Sequence, residues 1–284
     1  MISEIELTLC TLNYYTSDYI IYQDKIVRLL DNTPFRRVIL DTSERSEIGK
    51  LKDLPNTEVY RKVFPKHLAF SQAHGYGMNL LMEKIKTKYA ILIDPDFLIL
   101  MKDWAKKIIK LLKDKYDIIG TPYNPLHKRR RIQNVPNAIF FAFKVEKLKS
   151  ISPDWRPLNV VLRRILYKIF YYFPKLNIFD FEMGYKVLKK IKRKGFRILT
   201  FEFIQPWDER SVFKFKVPYD GDVNNINPAL VLYPEEYHLN GVLFGTHQRR
   251  TKFPFNKHPY SKKWKEAIDK YLAGQFKIDV GKLC

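Results

Sequence analysis

The sequence predicts an α/β fold, in which the strands of a central sheet alternate with helices that cover it. Two observations lead to this prediction. Apolar runs of strand length alternate with longer segments of helical periodicity over the first third of the chain, which is typical of parallel βαβ units. The chain has 284 residues, of which 46% are hydrophobic, enough to bury a sizeable core.

The elements of the first third can be placed one by one. A strand at 5–12 is followed by a helix that Ser17 or Asp18 caps and that ends near Asp31. Three further strands are expected, with a helix before the last of them: strands at 36–43, 57–63 and 89–93, and the helix at 77–86.

The rest of the chain is less regular. Helices and strands still alternate: a helix at 103–115 with Asp103 as its cap, strands at 116–123 and 137–143, a helix at 158–173, and a helix, glycine stop and strand within 181–203. The segment 205–234 has little periodicity and is expected to be a long functional loop. No linker or repeat divides the chain. We therefore expect a single domain, 1–284, with 1–100 and 101–284 as its two halves.

The cysteine count and the N-terminus point to a cytoplasmic protein. Cys10 and Cys284 form no disulfide framework and no CxxC metal motif, which favours a reducing compartment. The stretch "MISEIELTLC" has early acids and no basic region, so it does not resemble a signal peptide. No apolar run reaches the ~18 residues that a spanning helix needs.

The charge of the chain is its most unusual bulk property. Fifty-one lysines and arginines against 30 acids give a net charge of +21, which attracts nucleic acid, anionic membranes or phosphorylated substrates. No nucleic-acid recognition motif is present, so we expect no nucleic-acid partner. The basic, aromatic segment 158–173 is typical of a peripheral helix on an anionic membrane face. A core helix with a charged outer face has the same pattern.

Asp94 and Asp96 stand out within the apolar run "YAILIDPDFLIL". Carboxylates are costly to bury without partners, and Pro95 between them suits the exit of a strand better than its middle. Residues two apart point to the same side of an extended chain, so both carboxylates can bind one Mg²⁺ or Mn²⁺ beyond the strand's carboxyl end. A turn with two exposed aspartates is the structural alternative.

Four motifs occur in a fixed order over roughly the first half of the chain: "CTLNYY", "VILDTS", "HGYGMN" and "ILIDPDF". Together they resemble family 2-type glycosyltransferases with the GT-A fold. The resemblance implies a Rossmann-like mixed sheet flanked by helices, with acceptor-side helical and loop insertions. It also implies transfer of a sugar from a nucleotide diphosphate sugar to the hydroxyl of a sugar or another acceptor, with Mn²⁺ or Mg²⁺ as cofactor. The net charge of +21 and the basic aromatic segment 158–173 favour a lipid-linked acceptor. We expect inversion at the transferred sugar.

The resemblance further implies roles for single residues in the first half. Thr11 and Asn13 would line the nucleotide, and Asp41 would contact its base or ribose. Asp96 would be the direct metal ligand, whereas Asp94 would bind either the metal or the ribose.

His74, Gly75 and Asn79 lie at the predicted start of the helix at 77–86. A glycine-rich helix entry brings backbone N–H groups close to phosphate or sugar oxygens, so we expect these residues to bind the donor. The alternative is that this segment is a turn that contains glycines and that His74 is an ordinary polar loop residue.

An inverting transfer needs a carboxylate that accepts the proton of the attacking hydroxyl. Related transferases carry such an acid two residues before a glycine at a helix start, which here is Glu182 before Gly184. The related pattern more often has aspartate there, and Asp180 is the second candidate. Either acid could instead complement the helix dipole.

Two histidines occur late in the chain, in "YHLNGVLFGTHQRR". GT-A enzymes commonly recruit a late histidine to the metal, and imidazole suits Mn²⁺ better than Mg²⁺. His238 matches the family's pattern more closely, with His247 as the alternative. Arg249 and Arg250 would neutralise the diphosphate, or would be part of the general basic surface.

Two other functions agree with the charge of the chain. One is a basic nucleic-acid-binding protein, and the other is a catalytically inactive, membrane-associated scaffold with this fold. Metal-dependent binding of a sugar nucleotide would separate the enzyme from both.

Overall fold

A computed structural model of the chain describes residues 5–68, 70–123, 136–159, 162, 165, 183–214, 234–248 and 259–278. Its helices are α1 Ser17–Leu30, α2 Ile48–Leu51, α3 Phe70–Lys84, α4 Trp104–Asp114, α5 Val145–Lys149, α6 Tyr185–Arg193 and α7 Pro259–Phe276. Its strands are β1 Leu7–Asn13, β2 Phe35–Asp41, β3 Thr57–Arg61, β4 Tyr89–Ile93, β5 Phe97–Ile99, β6 Ile118–Gly120, β7 Phe140–Lys144, β8 Ile198–Thr200, β9 Glu202–Ile204, β10 Pro234–Leu239 and β11 Val242–Gln248.

Seven strands form one mixed sheet in the order β3-β2-β1-β4-β7-β6-β8. The first four are parallel, and β7 is antiparallel to both of its neighbours. One face of the sheet packs against α1, α4 and α7, and the other face packs against α3, α5 and α6. The predicted mixed α/β sheet flanked by helices is confirmed. Because β1, β2 and β4 run in the same direction, their carboxyl ends meet at one edge.

A second, antiparallel sheet has the order β5-β11-β10-β9. Its strand β5 follows β4 directly along the chain, so that the two sheets are joined by the short segment between Ile93 and Phe97. Helix α7 holds this sheet in place, since the indole of the fully buried Trp264 donates a hydrogen bond to Thr246 Oγ1 on β11 at 3.2 Å. The second sheet thus carries late residues of the chain to the end of β4.

Most predicted elements are confirmed, but three details are wrong. The N-cap position of α1 is Thr16, whose side chain makes no capping bond within the described residues, so the predicted cap at Ser17 or Asp18 is wrong. Helix α3 begins at Phe70 and not at 77, so the glycines of "HGYGMN" lie inside it.

Asp103 precedes α4, but within the described residues its side chain makes no capping bond. Asp31, at the end of α1, does so instead, since its Oδ2 accepts hydrogen bonds from the backbone N–H groups of Ala105 and Lys106 at 2.7 and 3.3 Å.

Several predicted segments lie largely outside the described residues. Of the helix at 158–173, Leu162 and Ile165 are described as helical, and both side chains are about half exposed. The loop 205–234 is described only as far as 214 and again from β10. Over the ranges that the structure covers, no helix is long and apolar enough to cross a membrane.

Candidate metal centre

Asp94 and Asp96 lie in the short turn that connects the two sheets. The turn is closed by the backbone N–H of Phe97, which donates to the carbonyl oxygen of Asp94 at 3.1 Å. The N–H of Asp94 donates to the carbonyl oxygen of Ile139 at 2.9 Å, which ties the turn to the start of β7. Asp96 is buried and Asp94 is half-buried. The acidic pair thus lies just past the end of β4, as predicted from the apolar run.

Strand β11 brings His247 to the acidic pair. It is antiparallel to β5, with His247 opposite Phe97, and the N–H of Gln248 donates to the carbonyl oxygen of Asp96 at 3.0 Å. Nε2 of His247 lies 3.4 Å from Oδ1 of Asp96. One ligand atom each of Asp94, Asp96 and His247 lies within 4.8 Å of the others. Two carboxylates and one imidazole form a donor set that suits Mn²⁺.

The orientation of the His247 ring is determined by Glu235 on the neighbouring strand β10. Nδ1 of His247 lies 3.1 Å from Oε2 of Glu235, so that Nε2 points to the aspartates. The same carboxylate oxygen accepts a hydrogen bond from Tyr237 Oη at 2.8 Å. A carboxylate behind a ligating histidine selects its tautomer and makes it a better ligand.

A β-bulge places Glu235 opposite His247. The strands β10 and β11 are joined at Asn240 and Gly241, which both have positive φ, as tight hairpin turns require. If the pairing of β10 with β11 continued from this turn without interruption, Pro234 would lie opposite His247. A register shift between Tyr237 and His238 puts Glu235 there instead. The sequence analysis missed Glu235 because pattern counting cannot locate such a shift.

The charges of the site are crowded, which shifts the pKa values of Asp94 and His247. Burial and the neighbouring Asp96 raise the pKa of the Asp94 carboxyl to about 8. Burial disfavours the charged imidazole of His247, but Asp96 and Glu235 outweigh this and raise its pKa to about 10. The raised pKa of His247, and the part of the Asp94 shift that is due to Asp96, reflect one cause: the crowded carboxylates are stabilised by positive charge beside them. The residues therefore fit a divalent cation.

His238 lies elsewhere. Successive side chains of a strand point to opposite faces, so Glu236 is directed away from the face of Glu235. His238 lies beside Glu236, because its Nε2 is 3.4 Å from Oε2 of Glu236. Glu236 also accepts hydrogen bonds from Ser211 Oγ at 2.5 Å and from the N–H groups of Val212 and Phe213. The structure thus brings His247, and not His238, to the aspartates.

Thr11, Asn13 and Asp41 lie at the carboxyl ends of β1 and β2, on the same edge as the acidic pair, and all three are buried. The Asn13 amide donates to Asp41 Oδ1 and to Glu47 Oε2, both at 3.0 Å. Asp41 also accepts the N–H groups of Ser43 at 3.1 Å and Glu47 at 2.9 Å. In this structure Asn13 and Asp41 order the loop after β2, and contact with a nucleotide stays a prediction.

The predicted glycine-rich helix entry is wrong, because residues 74–79 lie within α3. A Cβ on Gly75 would come within 2.7 Å of the carbonyl oxygen of Trp155, so this glycine allows a close backbone approach. Asn79 holds the same segment, since its Oδ1 accepts the N–H of Trp155 at 2.9 Å. His74 lies close enough to Asp96 to interact with it, but burial prevails and lowers the pKa of His74 to about 4. Donor binding by these residues stays a prediction.

Four predicted site residues lie outside the described residues: Asp180, Glu182, Arg249 and Arg250. Glu182 precedes Met183 and Gly184, which lead into α6, and Gly184 has the positive φ of 82°. Arg249 and Arg250 follow Gln248 at the end of β11.

Replacing Glu235 by glutamine is expected to weaken Mn²⁺ binding about 10-fold, because the neutral amide is a weaker acceptor for the histidine N–H. Titration calorimetry with Mn²⁺ measures the change. Tyr237→Phe is the matched control, since it removes the hydrogen bond from Tyr237 Oη and leaves the Glu235 carboxylate in place, and we expect it to leave the Mn²⁺ affinity nearly unchanged. Equal affinities of Glu235→Gln and wild type would contradict a role of Glu235 in orienting His247.

No protein-family model matches the sequence, and neither does any curated protein. Solved structures that are similar to this chain share little sequence with it. A mannosyltransferase from Pyrobaculum calidifontis, in complex with GDP-Man and Mn²⁺, aligns with 70% of this chain and 55% of its own length, at 12% identity and a TM-score of 0.46. TarS from S. aureus in complex with UDP aligns with 53% of this chain and 50% of its own, at 14% identity and a TM-score of 0.41.

A third similar structure is the glycosyltransferase GlyE from Streptococcus pneumoniae, which aligns with 70% of this chain and 46% of its own length, at 10% identity and a TM-score of 0.41. The chain therefore spans about half the length of these structures. Two of the three are sugar-transferring enzymes by name.

Proposed function

We propose that the chain is a metal-dependent glycosyltransferase that moves a sugar from a nucleotide diphosphate sugar to an acceptor hydroxyl. The observation that carries the proposal is the convergence of Asp94, Asp96 and His247 at one edge of the sheet. Asn13 and Asp41 end their strands at this same edge. A cation-binding cluster beside the carboxyl ends of parallel strands is where α/β folds bind phosphorylated ligands.

The strand order supports one orientation of the donor. β1 lies between β2 and β4, and neighbouring strands are ~4.8 Å apart, so the ends of β2 and β4 are about 10 Å apart. This is roughly the span from a nucleoside to its diphosphate. The nucleoside would therefore lie over Thr11, Asn13 and the loop that Asp41 orders, with the diphosphate over Asp94 and Asp96.

Asp94, Asp96 and His247 would hold Mn²⁺ or Mg²⁺, with Asp96 as the central ligand because it is buried and contacts His247. When bound, the cation neutralises charge on the leaving diphosphate. Arg249 and Arg250 follow His247 by two and three residues in sequence. They are proposed to add positive charge at the diphosphate.

Glu182 is proposed as the base that accepts the proton of the attacking hydroxyl. Glu182→Gln is expected to lower kcat by about 10²–10⁴-fold, because glutamine cannot take the proton, while binding of Mn²⁺ and donor stays intact. The matched comparison is Asp180→Asn, measured in the same transfer assay. A larger loss in Asp180→Asn would move the role to Asp180, and normal turnover of both variants would exclude this segment as the source of the base.

The experiment that tests the proposed function is a thermal-shift panel of sugar nucleotides with and without Mn²⁺. A ligand that binds the folded state at 100 times its Kd stabilises that state by ~2.7 kcal/mol, which is a readily measured shift. We expect at least one sugar nucleotide to raise Tm only when Mn²⁺ is present. No Mn²⁺-dependent shift with any of them, together with salt-sensitive binding to nucleic acid, would favour the basic nucleic-acid-binding protein instead.

We further propose a lipid-linked or other membrane-proximal acceptor and attachment to an anionic membrane at its cytoplasmic face. The net charge of +21 and the half-exposed Leu162 and Ile165, which flank Arg163 and Arg164 in sequence, support this. Flotation with liposomes is expected to recover the protein with anionic lipid and not with zwitterionic lipid alone. Failure with both would exclude the membrane.

A further inference from the structure

Gln23 lies on α1, far from the acidic pair in sequence, but its side chain contacts the turn that carries Asp94 and Asp96. The side chain is fully buried. Its Nε2 donates to two backbone carbonyl oxygens that bracket the turn, that of Asp94 at 3.0 Å and that of Phe97 at 2.6 Å. One amide group therefore holds together both ends of the segment that carries Asp94 and Asp96.

Arg37 on β2 determines how the Gln23 amide is oriented. Arg37 is fully buried, and its Nη1 donates to Oε1 of Gln23 at 3.0 Å. A guanidinium group only donates and a carbonyl oxygen only accepts, so a single amide orientation satisfies all three contacts. Asp24, at 2.9 Å from Nε of Arg37, balances its charge, and Asp24 also pairs with Arg28 at 2.7 Å.

A buried arginine is a costly way to fill a core, because removing its charge from water is only partly repaid by a partner. Buried polar networks of this kind are found where a unique arrangement is needed. Here the network contacts the turn that carries Asp94 and Asp96, whose two carboxylates repel each other. Without anchors on its backbone, the turn would relax so that Asp94 and Asp96 move apart.

We propose that Gln23 and Arg37 are positioning residues that hold the turn at Asp94–Asp96 in the geometry that binds the metal. Both would act through the backbone of the turn and not as ligands of the cation or the donor. The turn is held from three directions: by Ile139 before β7, by Gln248 on β11 and by Gln23 on α1. The consequence for catalysis rests on the proposed function, but the ordering of the turn does not.

The test is Gln23→Met, which keeps the length of the side chain and removes its polar atoms. We expect the Kd for Mn²⁺ to rise about 10-fold, as for other groups that orient metal ligands from behind. We also expect the backbone amides of Phe97 and Gln248, which donate to the turn, to exchange with deuterium about 10-fold faster. If Gln23→Met does not fold, Gln23→Asn takes its place in the test. Its shorter amide cannot reach both Arg37 and the turn, so we expect the same two changes.

Asp31→Ala is the matched control. Asp31 is a buried polar residue that directly follows the last residue of α1, where it accepts the N–H groups of Thr33 and Ala105. Its loss is expected to lower Tm but to leave the Mn²⁺ affinity and the two amides unchanged.

Three outcomes decide the proposal. Unchanged Mn²⁺ affinity and unchanged exchange in the Gln23 variants would overturn it, and so would equal changes in Asp31→Ala. If the wild-type protein bound no Mn²⁺, the metal-dependent function would fail, while the exchange of Phe97 and Gln248 would still decide whether Gln23 orders the turn.

Discussion

Asp96→Asn is expected to lower kcat/KM for sugar transfer by about 1,000-fold, equivalent to ~4 kcal/mol of transition-state stabilisation. The substitution keeps the shape of the side chain and removes the charge that faces His247 at 3.4 Å. It takes away the buried carboxylate from the set of three ligands, so the Kd for Mn²⁺ is expected to rise at least as much as in the Glu235 variant. Asp94→Asn should weaken Mn²⁺ binding less if Asp94 serves the ribose as well as the metal.

Steady-state transfer assays across a range of Mn²⁺ concentrations measure both effects. Asp114→Asn is the matched control, because Asp114 is an exposed aspartate on α4 and the same change of charge is made far from the turn. Wild-type turnover in Asp96→Asn would contradict the metal centre as the site of catalysis. Equal losses in Asp114→Asn would mean that net charge, and not ligation, is responsible.

The second large effect is expected at Gly245, where β11 comes very close to β5, two residues before His247. A Cβ at this position would lie 2.5 Å from the carbonyl oxygen of Leu98 and 2.8 Å from Cζ of Phe97. The carbonyl belongs to the backbone of β5, so relief requires the two strands to separate. Gly245→Ala is therefore expected to lower the free energy of unfolding by about 3 kcal/mol, at the upper end of overpacking effects.

Because β11 carries His247, the same variant should also weaken Mn²⁺ binding. Chemical denaturation and Mn²⁺ titration measure the two losses. Gly274→Ala in α7 is the control, since no atom of the described residues lies within 4 Å of its Cβ position. There alanine is expected to raise the free energy of unfolding by up to ~1 kcal/mol, because it favours the helix. A Gly245→Ala protein as stable as wild type would contradict the close packing of β5 and β11.

The acidic pair could be predicted from sequence because its signal is local. Five apolar residues before Asp94 define a buried strand, and Pro95 defines its exit, so the position of the pair relative to the sheet follows from a dozen letters. The alternation of strands and helices likewise predicted an α/β sheet with parallel βαβ units. Asp31 shows the limit of such reasoning, because it caps a helix that begins more than 70 residues later.

The remainder of the site depends on contacts between distant segments. Whether His238 or His247 meets the aspartates is decided by the pairing of β11 with β5. The partner of His247 is decided by one bulge. Gln23 has no sequence signal either, since a polar residue on the inner side of a helix only weakens the periodicity of that helix. In each case the deciding quantity is a strand register or a tertiary contact.

The separation of the two parts of the metal centre along the chain has a consequence for protein synthesis. Asp96 and His247 are about 150 residues apart, so bringing them together requires the closure of a very long loop of chain. Synthesis at ~5–20 residues per second delays His247 by roughly 8–30 s after Asp96 has been made. During this interval the nascent chain contains the acidic pair but lacks its histidine. The proposed cation site is therefore complete only after β11 has docked, and binding of a divalent ion to it would report that the two sheets have assembled.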